Sequence, residues 1–268
     1  MSKTDFNEAT EQLTKRLKSD EKLHSAIMVY PPFADGYWSA SPKIVFCNYE
    51  NYGYDNDKYK GQKVILNFNE FFLWISGYWL KENLTFDQFY YRTKECTQFI
   101  PKEDKEKKSK PNKTAKKSLI FVNALIEKLN NIETNIQNIK KFSATKLCLS
   151  MNQLTYMNLR PTSGSDVRQD LFNTQYWVSN YHENIKRIIL SLEADIFILS
   201  SKDAANLFNN YLFKDEIQTK NAEALRFKGY SKIGNTHFFS IMHPSYKGFT
   251  DNYFNETINF ISSKYRGV

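Results

Sequence analysis

Cysteine is scarce in this chain: Cys47, Cys96 and Cys148 form an odd set with no C-x-x-C spacing. Neither a disulfide framework nor a four-thiolate cluster can be built from them, and they read as small buried apolar residues. A long hydrophobic run is missing too. The longest, Phe71 to Leu80, is interrupted by Ser76 and Gly77 and falls short of the roughly 20 helical residues that cross a bilayer, so no membrane partner is expected. The opening MSKTDFNEATEQLTKRLKSDEK carries charges where a secretory signal places its apolar stretch, which argues against export and for the cytoplasm. No internal repeat is evident.

With 268 residues the chain is long enough for a core that holds without disulfides or metal. Peptide-hormone, knottin and collagen readings are thereby removed. Hydrophobic residues at 41% and charged residues at 25% are ordinary for a globular protein, while aromatics at 16% are high. The net charge of +8 is unevenly spread: eight lysines against Glu103, Asp104 and Glu106 put +5 between Lys102 and Lys117, leaving +3 for the rest. A cationic tract raises affinity for a polyanion such as DNA by releasing counterions; a plain solvated linker has the same composition. Enrichment in Asn, Lys, Ile, Phe and Tyr points to an AT-rich bacterial genome.

Residues 4–24 read as a surface helix with few apolar anchors. KIVFC (43–47) is a short run of β-preferring residues that empties into the polar segment NYENYGYDN (48–56). Residues 66–99 are dense in Phe, Trp and Tyr and read as helical. Leu119, Val122, Leu125, Ile126, Leu129, Ile132 and Ile136 recur every three or four residues, which places one apolar stripe along a helix. Lys146 to Ser150 reads as a strand leading to NLRPTSGSD (158–166), where Pro161 and Gly164 argue against regular structure. Trp177, Tyr181, Ile185, Ile188, Ile189 and Leu192 mark a helix, DIFILSS (195–201) a buried strand, and Ala204 to Leu212 a short helix. THFFSIM (236–242) is a strand emptying into HPSYKGF (243–249), and Asn252 to Tyr265 form a closing helix. Strands alternating with helices predict an α/β class: a three-layer α/β/α domain with a small parallel central sheet. It spans residues 1–268, enlarged by a helical insertion at 57–145 that contains the basic linker 102–117.

Three polar segments therefore follow three strands, and in parallel sheets functional residues gather at the carboxyl edge. Glu50 supplies a carboxylate, Asn48, Asn51 and Asn158 supply amides that donate and accept, and His243 supplies an imidazole. That set suits recognition of a flat heterocycle and activation of water.

The ordered set resembles the uracil-DNA glycosylase superfamily, in motif style its mismatch-directed thymine/uracil and single-strand-selective branches. The resemblance rests on His243, Pro244 and Ser245 as a final H-P-S motif and on Asn158, Arg160 and Thr162 in a middle segment. The loop after KIVFC stands for the first motif; its usual Gly and Pro are absent, so either Glu50 or Asn51 aligns with the water-positioning residue. Residues 43–56 and 146–262 are covered. The resemblance implies a monofunctional DNA glycosylase without metal or organic cofactor and without an obligate protein partner, acting on a base rotated out of the helix. Glu50 or Asn51 would position water and His243 would donate to the departing base. Asn48, Tyr52, Tyr54, Asn158 and Ser245 would hold the substrate nucleotide, and Arg160, Tyr246, Lys247 and Phe249 the surrounding DNA. The altered first motif and aromatic-rich insertion point to a bulky modified pyrimidine, as in defence against phage. A nucleic-acid-binding module that keeps the fold without the chemistry is the alternative.

Overall fold

Ile196, Phe197, Ile198 and Leu199 are all fully buried, although successive side chains of a strand point to opposite faces. Such a strand is covered on both sides, as central parallel strands are. The computed structural model describes residues 3–19, 28–30, 36–52, 63–65, 113–133, 135–142, 146, 150–164, 167–213, 228–244, 246 and 250–267. In chain order it has α1 (Lys3–Lys18), β1 (Met28–Tyr30), β2 (Ile44–Tyr52), β3 (Lys63–Ile65), α2 (Lys113–Leu129), α3 (Ile136–Ile139) and β4 (Leu154–Gly164). Then follow α4 (Val167–Ser191), β5 (Ile196–Leu199), α5 (Lys202–Leu207), β6 (Lys228–Ile233), β7 (Thr236–Ile241) and α6 (Asp251–Arg266). The α5 helix runs on into a π-helical turn, Phe208–Leu212.

The sheet order is β3-β1-β4-β2-β5-β7-β6. Strands β4, β2, β5 and β7 are mutually parallel, and β6 closes the far edge antiparallel to β7. At the other edge the short β1 meets β4 antiparallel at Met28 and Thr162, and β3 runs parallel to β1. The α/β class expected from the sequence is the one observed. Across the sheet the four parallel strands stand second, first, third and fourth in chain order. The chain leaves β2 on one side to make β4 and returns past it to make β5, so the carboxyl ends of β2 and β5 flank a topological switch point.

The opposite ends of β2 and β5 are pinned by Lys43 and Asp195. Asp195 accepts the Lys43 backbone N–H at 2.7 Å, and the Lys43 carbonyl accepts from the N–H groups of Asp195 (2.9 Å) and Ile196 (3.1 Å). These bonds set the register that carries through to the functional edge.

The chain forms two compact units, Met1–Asn67 with Gln153–Met242, and Phe68–Asn152 with His243–Val268. The first holds the sheet. Within it Phe197 and Phe238 project to one face, where Phe208 and Phe213 meet them with ring centroids 4.8–5.6 Å apart. Helix α1 packs on α4 through a buried stripe of Phe6, Ala9, Leu13 and Leu17. Tyr181 departs from helical geometry inside α4, and Arg16 of α1 takes the Asn180 carbonyl at 3.1 Å. In the second unit Phe121 of α2 meets Phe254 of α6 edge to face at 5.2 Å. Arg266 donates to the Lys128 and Leu129 carbonyls that end α2, satisfying groups a helix end leaves open.

Several expectations are corrected. The surface helix expected at 4–24 is α1 (Lys3–Lys18), exposed on one side, with more apolar anchors than expected in its buried stripe. The segment NYENYGYDN is not a loop throughout: β2 continues to Tyr52, because β4 supplies it with ladder partners as far as Gly164. NLRPTSGSD is likewise strand to Gly164. Its proline is tolerated by a register break, in which Glu50 pairs with Arg160 but Asn51 pairs with Ser163, leaving Pro161 and Thr162 without a counterpart on β2; a missing N–H costs least at a bulge. The strand expected at 146–150 begins instead at Leu154, after a 3-10 turn, Ser150–Asn152. Helix α2 stops at Leu129, Ile132 is half exposed, and Ile136 belongs to the separate α3. Within 57–145, Lys63–Ile65 is a strand and Lys113–Leu129 a helix, so the last lysines of the basic tract are helical. The aromatic stretch 66–99 lies outside the described residues.

Candidate functional site

Asn48 of β2 stands in register with Asn158 of β4. Neighbouring parallel strands lie about 4.8 Å apart, so the two carboxamides sit side by side on one sheet face. Two residues earlier on each strand, the same face carries Phe46 and Tyr156, rings 6.0 Å apart. The face thus changes from apolar to amide in one step toward the carboxyl edge, and both amides are half-buried.

Ser200, the first residue after β5, binds β2 twice. Its N–H donates to the Cys47 carbonyl at 2.9 Å, and its hydroxyl donates to Asn48 Oδ1 at 2.5 Å. Ser200 is fully buried. Its neighbour Ser201 caps α5, accepting the Ala204 N–H at 3.0 Å. The Asn48–Ser200 bond therefore spans the switch point itself. Sequence reasoning gave Ser200 no role; the available signal was a pair of serines ending a fully apolar strand. It also missed β6, although Gly234-Asn235 between two β-preferring runs is a hairpin signal and Gly234 has φ 58°.

Further along, Glu50 is in register with Arg160, Asn51 with Ser163 and Tyr52 with Gly164. The expected water-positioning residues are thus strand residues on the same edge as Asn48. Tyr54, Ser245, Lys247 and Phe249 lie outside the described residues.

His243 belongs to the second unit. Its carbonyl accepts the Tyr246 N–H at 2.9 Å, so H-P-S-Y closes a turn with buried Pro244 at its second position, where the fixed φ of proline fits. Tyr246 is 47% exposed. The His243 imidazole is held below its ordinary pKa, first by burial and then by the positive charge of Lys117, so it is neutral at pH 7 and offers one N–H donor.

Cys47 is buried and desolvation pushes its thiol well above the usual range, which removes it as a nucleophile. Among the described residues no group of three or more His, Cys, Asp and Glu side chains is arranged to hold a metal ion, and no helix is long and apolar enough to cross a membrane.

Comparison with protein-family models, curated proteins and solved structures returns no match. What the chain does has to be argued from its own residues.

Proposed function

We propose that this protein is a DNA glycosylase that hydrolyses the N-glycosidic bond of a flipped-out uracil-type or modified pyrimidine. The observation that carries the reading is the side-by-side Asn48 and Asn158 pair at the carboxyl edge of the sheet, beside its switch point. Two adjacent carboxamides offer donors and acceptors to a pyrimidine edge, and the buried Phe46 and Tyr156 rings lie one step behind them on the same sheet face. The chemistry needs only water: the bond from C1′ to the base breaks, water adds a hydroxyl to C1′, and the base leaves with a proton. Positive charge grows on the sugar and negative charge on the base. Glu50 or Asn51 is the group assigned to the water, and neutral His243 is the donor assigned to the base anion. The setting we assign is the bacterial cytoplasm, with self or phage DNA as partner and the lysine tract 102–117 as an electrostatic aid.

One observation favours a second reading, a binding module without catalysis: Glu50 and Asn51 are committed to the β2–β4 ladder rather than to the open loop that usually presents water. The test is incubation with duplex and single-stranded DNA carrying uracil, thymine opposite guanine, or C5-modified pyrimidines, followed by alkali. Alkali-labile breaks at the modified position are expected. Tight binding with no break on any substrate leaves the module.

A further inference from the structure

Helix α4 is two helices joined at one residue. Tyr181 stands at φ −120° and ψ 17°, outside helical geometry, and separates residues 167–180 from 182–191. Neither proline nor glycine occurs in the run WVSNYHENIK around it, so the kink has another cause, and side chains that enter the helical bonding ladder supply one. In a continuous helix the Ser179 and Asn180 carbonyls accept the N–H groups of Glu183 and Asn184. Here both carbonyls are bonded to side chains. His182 Nδ1 lies 3.0 Å from the Ser179 oxygen, and since a carbonyl only accepts, that nitrogen carries the proton. Arg16 of α1 donates from Nη2 to the Asn180 oxygen at 3.1 Å.

The same guanidinium reaches across the kink. Its Nη1 donates to Asn184 Oδ1 at 2.8 Å, and its carbon lies 4.9 Å from the centre of the buried Tyr181 ring. Arg16 thus holds a group before the kink, the residue at it and a group after it, and it does so from α1, which is fixed by its own buried stripe. The half of α4 ahead of the kink starts at Val167, close behind Gly164, where β4 ends at the carboxyl edge of the sheet. That half is about 20 Å long, so a change of about 20° at Tyr181 moves its far end by about 7 Å.

We propose that Tyr181 is a hinge and Arg16 its latch: the guanidinium fixes the angle at which residues 167–180 stand at the carboxyl edge, and the affinity of that edge for a nucleic-acid ligand depends on the angle. Arg16 is a positioning residue in this scheme, acting through α4 without touching the ligand. The inference rests on the base-binding reading of the edge given above, though not on its catalytic part. The two forms of α4 differ by an exchange of bonds. Without Arg16 the Asn180 carbonyl is open to the Asn184 N–H and α4 runs closer to straight, which carries its amino-terminal half away from the latched position. A ligand that prefers the latched position then binds less well, by the free energy of the coupling.

The experiment uses the full chain. Amide hydrogen exchange followed by nuclear magnetic resonance reads the hinge. Affinity for a single-stranded oligonucleotide carrying one 2′-fluoro-2′-deoxyuridine, whose electron-withdrawing fluorine suppresses cleavage, reads the edge. Arg16 is exposed, so Arg16→Ala should fold. It should slow exchange at the Asn184 amide by ~5-fold or more, the return of one backbone bond, and weaken probe binding by at least ~5-fold. Arg16→Lys keeps the charge but has no planar fork to bridge two acceptors, and it should behave as the alanine variant does; a lysine variant that matches wild type would reduce Arg16 to a surface charge. Faster exchange through α1 and α4, the mark of lost structural support, overturns the inference. So does a change in either readout without the other, or in neither; if Arg16→Ala does not fold, Arg16→Lys decides alone. Base release assayed separately on 2′-deoxyuridine DNA reports on the glycosylase reading: release with unmoved Arg16 variants defeats only the inference. Arg16-dependent binding without release defeats only catalysis, and a wild type that binds no probe defeats both.

Discussion

Asn48 and Asn158 are paired across two parallel strands at the level where the sheet face turns from rings to amides. A planar heterocycle of matching edge would exchange hydrogen bonds with both carboxamides. Replacing either by alanine should therefore lower single-turnover base release by at least ~10-fold, since a buried polar group left without its partner costs about 1–3 kcal/mol. Asn48→Ala should also lower the thermal midpoint, because it leaves the buried Ser200 hydroxyl without the oxygen it donates to. Variants that release base at the wild-type rate would remove the pair from the site.

The fold was legible where side-chain patterns are strong. DIFIL, THFFSIM, the 177–192 helix and the closing helix lie where their apolar spacing puts them. The reading failed where pairing overrode local composition: NYENY and NLRPTSG look like loops because Asn, Pro and Gly are poor strand formers, yet each supplies the ladder the other needs, and the break at Pro161 absorbs the proline. Asn48 and Asn158 could be picked out as polar residues next to strands. Their mutual register could not, because that depends on a pairing between segments more than a hundred residues apart. Ser200 was hidden for the same reason, its significance lying in a bond to another strand.

His243 is expected to act as a neutral donor. His243→Ala should slow base release by at least ~10-fold, because losing one preorganised donor to a developing anion costs about 2.7–4 kcal/mol. His243→Gln, which keeps an N–H donor, should recover part of the rate. Single-turnover kinetics on the same oligonucleotide decide; an unchanged alanine variant would reduce H-P-S-Y to a turn.

The lysine tract should act without regard to sequence. Replacing Lys102, Lys105, Lys107, Lys108 and Lys110 by glutamine should weaken binding to all DNA alike and flatten its salt dependence, as each phosphate contact contributes a log–log slope of ~0.9 on duplex DNA. Affinities measured between low and moderate salt provide the check, and an unaltered slope would make the tract a linker only.

Stability should concentrate in the phenylalanine cluster. Phe238 is buried against Phe197, Phe208 and Phe213, so Phe238→Ala should cost about 3–5 kcal/mol in cavity and lost burial. Ile132, 50% exposed, should tolerate alanine within about 0.5 kcal/mol. Urea denaturation of the two variants makes the comparison, and equal midpoints would contradict this account of the core.

The last expectation concerns acid. His237 is buried on β7, where Tyr230 meets its Nδ1 at 3.2 Å, and its pKa is lowered first by burial and then by Lys232, with Asp195 opposing. The His243 imidazole is lowered as well. In the unfolded chain both return to the ordinary value of about 6.5. Below that pH the unfolded state binds protons that the folded state refuses, which favours unfolding. The contribution of these two residues is therefore complete above about pH 6.5 and is lost as pH falls toward their folded values. Wild type should show a lower thermal midpoint at pH 5.5 than at pH 7.5, by about 2–4 °C for each kcal/mol lost. His237→Gln keeps an acceptor for the Tyr230 hydroxyl but cannot take up a proton, so its midpoint should fall less over the same interval. A variant that loses as many degrees as wild type would place the acid sensitivity elsewhere than in His237.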